Sequence, residues 1–125
     1  MGLFSKRVKA RRVTGLDDFE AAMTSGQPVF VDFWKPNCQP CRTMDGIVDE
    51  LADEFHGEVI VLKVNLHDVP DLFTRFKVKS TPTFVVVTPQ GSGLHQRFRH
   101  SGLMKKDQLV EQLRRAVAAV PNRLE

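Results

Sequence analysis

The only two cysteines of the chain, Cys38 and Cys41, stand two residues apart in VDFWKPNCQPCRTM, at the end of an apolar run. A C-x-x-C pair offers two chemistries, thiol–disulfide exchange or half of a metal site. The loop between the thiols is too short to staple a fold, so stability has to come from packing and the thiols are left for chemistry. The apolar run reads as a strand and the residues after it as a helix. Unpaired N–H groups and the partial positive charge of a helix N-terminus favour Cys38 as a thiolate. Cys41 falls one turn further in, on the apolar face. In exchange chemistry Cys38 attacks a substrate disulfide, and Cys41 resolves the mixed disulfide. Pro40 suits the first helical turn, where a missing N–H costs little.

The competing metal reading needs four ligands for zinc. The remaining candidates are His56, His67, His95 and His100. His95 and His100 have a finger-like spacing, but they follow Cys41 by far more than the roughly 12–15 residues between the halves of a finger. They also fall on a polar, edge-like strand, so no metal is assigned.

Asp32 interrupts the same apolar run. A buried carboxylate is costly unless neutral or paired, and burial raises its pKa. A carboxyl near neutrality beneath the inner thiol is placed to exchange a proton with Cys41. Lys63 is the other ionisable residue inside an apolar strand, and a modulator of Asp32. The competing readings are an exposed strand end for Asp32 and a snorkelling surface residue for Lys63. Pro82, in STPTF, enters a strand, where an ordinary turn is sufficient reason for a proline. Composition alone does not predict a cis bond there.

These groups are positioned by alternating elements. Residues 8–13 read as a short strand. TGLDDFEAAMTSG reads as a helix capped by Thr14 or Asp17 and ended by Gly26. PVFVDFW is a strand with both faces buried. Cys41, Met44, Val48, Leu51, Ala52 and Phe55 mark one face of the next helix, with Asp45, Asp49, Glu50 and Asp53 facing out and Gly46 weakening it. EVIVLKVN is a strand, VPDLFTRF a short helix with Pro70 near its start, and TPTFVVV a third apolar strand. TPQGSG turns into LHQRFRH, a polar edge strand. Leu109, Val110, Leu113, Ala116, Val117 and Val120 face one side of a closing helix. The order β-α-β-α-β-α-β-β-α predicts an α/β fold with a mixed sheet, parallel except for a terminal hairpin.

At 125 residues, with 42% apolar and 26% charged residues, the chain is long enough for one domain with its own core and is not disorder-like. The net charge of +3 is uneven: Lys6, Arg7, Lys9, Arg11 and Arg12 lie within seven residues, and without them acids outnumber bases in the remainder. Residues 1–12 therefore read as a basic N-terminal arm, solvated and flexible, and residues 13–125 as the domain. A nucleic-acid or anionic-lipid contact is the competing reading of the arm, and no specific nucleic-acid partner is assigned. No run approaches the ~20 apolar residues of a membrane span, and MGLFSKRVKARR lacks the apolar core of a secretory signal. Being Arg-rich and acid-free, it also fits a short organelle-targeting segment. A cytoplasmic protein is the default, where paired thiols stay reduced unless catalysis oxidises them.

With Cys38, Cys41, Asp32 and Pro82 assembled, the chain resembles the thioredoxin family. VDFWKPNCQPCRTM is similar to the family's D-F-W-A-x-W-C-G-P-C-K, STPTFVVV to its cis-proline strand, and PQGSG and HSGLMKKDQL to its later turn and the glycine before its last helix. The resemblance covers about residues 13–120. It implies a central mixed sheet of about five strands flanked by about four helices. Cys38 is then the nucleophile, Cys41 the resolving thiol and Asp32 the proton-transfer carboxylate with Lys63 near it. Pro82 is cis and faces the cysteines, with the backbone beside it pairing with an extended substrate segment. Trp34 packs under the site, and Gly91 and Gly102 keep side chains away from turns and docking surface.

The stretch also departs from the family pattern. Asn37 stands where the family has tryptophan, after a stiffening Pro36. Gln39-Pro40 replaces Gly-Pro, Thr81 replaces an aliphatic residue, and Gly46 takes the place of a kink proline. The implied activity is reduction of protein disulfides, in the service of electron transport and redox homeostasis. It needs no cofactor beyond the cysteine pair. The implied partners are disulfide-containing proteins and a thioredoxin reductase or other dithiol donor, with the chain acting as a monomer. A thiol oxidant or isomerase, and a non-catalytic interaction module on the same fold, are the alternatives.

Overall fold

The computed structural model describes residues 7–121. Its elements are β1 (Arg11–Arg12), α1 (Leu16–Met23), β2 (Val29–Trp34), α2 (Gln39–Glu54), β3 (Ile60–Asn65), α3 (Pro70–Arg75), β4 (Thr83–Gln90), β5 (Gly93–Ser101) and α4 (Lys106–Ala119). The strands form one sheet in the order β1-β3-β2-β4-β5. β1 and β2 each run parallel to β3, while β4 is antiparallel to β2 and β5. The mixed five-stranded sheet with four helices is the fold class that the sequence predicts, but antiparallel pairing is not confined to the terminal hairpin as expected, because β4 returns antiparallel to β2 after α3. No helix among the described residues is long and apolar enough to cross a membrane.

Strand alternation divides the core into two layers. Val29, Val31 and Phe33 of β2 join Leu62 and Val64 of β3, Val85 and Val87 of β4, Phe19 of α1 and Leu72 of α3. Phe30 of β2 joins Val61, Phe84, Val86, Met44, Val48 and Leu51 of α2, and Leu109 and Leu113 of α4. Asp32 and Trp34 share the parity of Phe30, so they point towards α2 and α4. Phe30 and Phe84 stack with ring centroids 5.6 Å apart on that side.

Local details differ from expectation. The N-cap of α1 is Gly15, with no side-chain cap, rather than Thr14 or Asp17. Instead Asp18, inside the first turn, reaches back to accept from the Thr14 N–H at 3.1 Å and the Thr14 hydroxyl at 2.7 Å. TPQGSG is mostly strand: β4 continues to Gln90, which pairs with Gly93, so only Gly91 and Ser92 turn. Gly91 opens that turn at φ +59°, where glycine carries no Cβ penalty.

The described part of the basic arm lies against the domain. The Val8 N–H donates to Asp53 at 2.9 Å, the Ala10 N–H donates to Asp49 at 3.1 Å, and Arg11–Arg12 add the edge strand. The strand expected over residues 8–13 is thus only two residues long. Residues 1–6 of the arm, Lys6 among them, lie outside the described residues.

Phe84 is fully buried where β4 meets α2 and α4. Phe84→Ala is expected to lower unfolding stability by about 3–5 kcal/mol, read from urea midpoints at unchanged slope.

Candidate active site

The turn after β2 sets the cysteines. Lys35 and Pro36 lead to Asn37 at φ +60°, and Cys38 follows as the extended N-cap of α2. Proline then a residue at positive φ is the pattern of a type II turn, and asparagine tolerates that conformation better than bulkier side chains. Asn37 therefore has a backbone reason for its place where the family has tryptophan. The signal was the dipeptide Pro36-Asn37 between a strand and a helix.

Cys38 and Cys41 are joined by a disulfide, with Cα atoms 5.2 Å apart. The Cys41 N–H donates to Cys38 Sγ at 3.3 Å, so the sulfur occupies the position of a capping acceptor. Pro40 lies in the first turn of α2. Gln39 Oε1 accepts from Arg42 Nη2 at 2.7 Å, which turns this side chain along the helix surface. In this oxidised form both cysteines are buried alike: Cys38 and Cys41 are each 6% exposed. Thr81 accounts for part of the cover, since its hydroxyl lies 3.4 Å and its carbonyl oxygen 3.5 Å from Cys38 Sγ.

The Thr81–Pro82 peptide is cis. The Gly102 N–H donates to the Pro82 carbonyl at 2.8 Å, tying the end of β5 to the proline loop. Gly102 has φ +97°, and a Cβ there meets nothing within 4 Å. Within the chain its requirement is therefore conformational rather than spatial. Gly91 is likewise free of close neighbours. It lies beyond the far end of the eight-residue β4 from Thr83, about 25 Å away at the rise of a strand. The structure does not bring Gly91 to the cysteines.

Asp32 is 3% exposed, and its Oδ1 has no hydrogen-bond partner. In register it stands between Phe84 of β4 and Lys63 of β3. Burial pushes its pKa up to about 7, with the Lys63 charge pulling it down and Asp45 and Asp49 pushing it up. Trp34 is half-buried, and its Nε1 is likewise buried without a partner. Asp32, Trp34, Asn37, Cys41, Arg42 and Asp45 line one cleft of about 450 Å³ beside the disulfide.

Lys63 is Asp32's neighbour in register, but its ammonium goes elsewhere. Nζ lies 2.6 Å from Asp45 Oδ1 and 3.0 Å from Asp49 Oδ1, both on α2. Burial pulls the Lys63 pKa down, yet hydrogen bonds and attraction to the two carboxylates outweigh this and raise it. Asp49 thus faces the sheet, with its side chain 26% exposed, and is not part of the outward face expected of it. Cys41, Asp45 and Asp49 are spaced by four, one ridge of the helix, which is the pattern that could have exposed the pair. Among the described residues no cluster of three or more His, Cys, Asp or Glu side chains is arranged to hold a metal.

The family model described as Thioredoxin matches residues 11–115. Thioredoxin 1 of Chlorobaculum tepidum is 35% identical over 102 residues, which is 82% of this chain and 95% of that protein. The thioredoxin of Rickettsia bellii is 33% identical over 102 residues, 82% of this chain and 93% of that one. Among solved structures, a chloroplastic thioredoxin z superposes with a TM-score of 0.75 at 24% identity, covering 92% of this chain and all of the other. The Malassezia sympodialis thioredoxin Mala s 13 superposes with a TM-score of 0.78 at 18% identity, covering 93% and 97%.

Asp32 carries a pH signature. A carboxyl whose pKa is raised on folding binds more protons in the native state, so stability falls as pH rises from about 4 to about 7 and then levels off. Asp32→Asn is expected to be more stable than the parent at pH 8, by at most about 4 kcal/mol. The gap should close below pH ~4, as chemical denaturation across pH would show. At the turn, Asn37→Gly should leave stability nearly unchanged, while Asn37→Val should cost about 1–2 kcal/mol in the same assay.

Proposed function

The chain belongs to the thioredoxin family and is a thiol–disulfide oxidoreductase, and from that premise we propose that it reduces protein disulfides, with Cys38 as nucleophile and Cys41 as resolving thiol. The observation that carries this reading is the seat of Cys38 Sγ at the N-cap of α2, beside Thr81, with its disulfide partner Cys41 lining one cleft with the buried Asp32. The helix terminus stabilises a thiolate at Cys38. That thiolate attacks one sulfur of a substrate disulfide. The other substrate sulfur leaves as a thiolate and takes a proton from solvent. Cys41 then gives its proton to Asp32 and attacks Cys38 Sγ. The bond from Cys38 to the substrate breaks, the second substrate sulfur leaves as a thiolate that takes up a proton, Asp32 returns its proton to solvent, and Cys38–Cys41 remains as the disulfide. Two electrons pass to the substrate, and the pair itself carries them without a cofactor.

The other residues have supporting parts in this reading. Pro82 and Thr81 present backbone to an extended substrate segment next to the disulfide. Trp34 packs beneath the site, Asn37, Gln39 and Pro40 shape its rim, Gly102 holds the proline loop, and Lys63 acts on Asp32 from the side. The catalytic unit is the thioredoxin domain from residue 13 onward, to which the last part of the basic arm adds an edge strand. A thioredoxin reductase or another dithiol donor restores the dithiol. The protein acts as a monomer in the cytoplasm.

A second reading, a thiol oxidant or isomerase, is favoured by one contact. A Thr81 hydroxyl 3.4 Å from Cys38 Sγ donates to a thiolate and so stabilises the reduced form. Stabilising the reduced form makes a pair more oxidising.

With dithiothreitol as donor, the protein is expected to accelerate insulin disulfide reduction, and a rate equal to dithiothreitol alone would overturn the reading. Cys41→Ser should trap substrates as mixed disulfides through Cys38, and Cys38→Ser should trap none. Titration against glutathione separates the two directions. A potential close to about −270 mV marks a reductant, and one towards about −120 mV an oxidant.

A further inference from the structure

We propose that Asp45 and Asp49 are positioning residues for the exchange reaction: together they hold the Lys63 ammonium against α2 and keep it from neutralising the Asp32 carboxyl that it neighbours across the sheet. The inference rests on the reading of Asp32 as the group that takes the Cys41 proton.

Asp32 and Lys63 are partners in the parallel pairing of β2 and β3. Both side chains leave the sheet on the α2 side, so an unrestrained Lys63 is the natural counterion of Asp32. Instead Lys63 Nζ is bonded to Asp45 at 2.6 Å and Asp49 at 3.0 Å, while Asp32 Oδ1 has no partner. Asp49 is itself held, because its Oδ1 also accepts the Ala10 N–H of the arm at 3.1 Å. Asp45 reaches in from the rim of the cleft that Asp32 and Cys41 share.

The charges around Asp32 can be taken element by element. β3 presents Lys63, and α2 presents Asp45 and Asp49 together with Cys41. β4 presents the apolar Phe84, and Lys35 and Arg42 line the cleft. One ammonium shared by two carboxylates is a group of net charge −1. Asp32 therefore meets a net negative neighbour where a free lysine would supply a positive one, and the neutral carboxyl is favoured. The result matches proton affinity to task. A carboxylate paired with Lys63 would be a weak base towards a thiol, whereas one titrating near neutrality exchanges a proton with little driving-force penalty.

The test is a titration of the oxidised protein, followed by the ¹³C shift of the Asp32 carboxyl. Asp45→Asn is expected to move the Asp32 midpoint down by about 1 pH unit, and Asp45→Asn with Asp49→Asn to move it further. In a Lys63→Gln background, Asp45→Asn should produce less than half of that shift. No downward movement overturns the proposal. So does a shift in the Lys63→Gln background of half or more, because Asp45 would then act by its own repulsion and not through the lysine. Asp45 is well exposed, with its side chain 61% accessible. Lys63→Met replaces Lys63→Gln if the latter fails to fold. The titration reads Asp32 whatever its catalytic part. Failure of the proton-transfer reading would appear separately, as an unchanged pH–rate profile in Asp32→Asn.

Discussion

Burial of β2 on both faces and both edges is the constraint on which the site depends. β3 and β4 take its hydrogen bonds, and α1, α3, α2 and α4 cover its side chains. A strand fixed in this way has no freedom to adjust its last residue, so the Pro36-Asn37 turn delivers Cys38 to α2 at one angle. The same burial denies Asp32 water. Position of the thiol and perturbation of the carboxyl thus have one cause, and neither needs a dedicated loop.

Inside that frame two effects oppose each other at Asp32. Loss of water raises its pKa, and a lysine at the adjacent register position lowers it. Burial wins because the lysine is already engaged. Its ammonium is satisfied by two carboxylates on α2, one of them also held by the arm's backbone. The arm is therefore not separate from the catalytic face. Ala10, Asp49, Lys63 and Asp32 form a continuous series of neighbours from the sheet edge to the space under the disulfide.

Much of this was legible in the sequence because it was written as breaks in pattern. Asp32 is a charge in an apolar alternation, and two cysteines at a strand–helix junction leave few roles. The layer assignment follows from strand parity alone. What was not legible depended on distances between elements. Asp45 and Asp49 look like ordinary solvated acids on a polar face until Lys63 is placed opposite them, and strand register is not visible in either segment. Gly91 matched a family position, but the length of β4 carries it to the far end of the sheet. The cover over Cys38 is hidden for a similar reason, since part of it comes from Thr81, 43 positions away.

Three of the departures from the family pattern, Asn37, Gln39 and Thr81, lie next to Cys38, whereas Gly46 lies further along α2 and Asp32, Trp34 and Cys41 keep the family's residues. In the proposed reaction these two groups have different parts. Asp32 bears on how Cys41 gives up its proton, a step internal to the protein and independent of which substrate is bound. The residues next to Cys38 meet the substrate, and Thr81 touches the attacking sulfur. A hydroxyl at Thr81 has opposite consequences there: it steadies the thiolate that attacks and weakens that thiolate as a nucleophile. Gln39, drawn along the helix by Arg42, adds polarity to the same rim without contacting the sulfur. Under the proposed mechanism, substitution next to Cys38 changes partner and redox poise while leaving the Cys41 proton transfer intact.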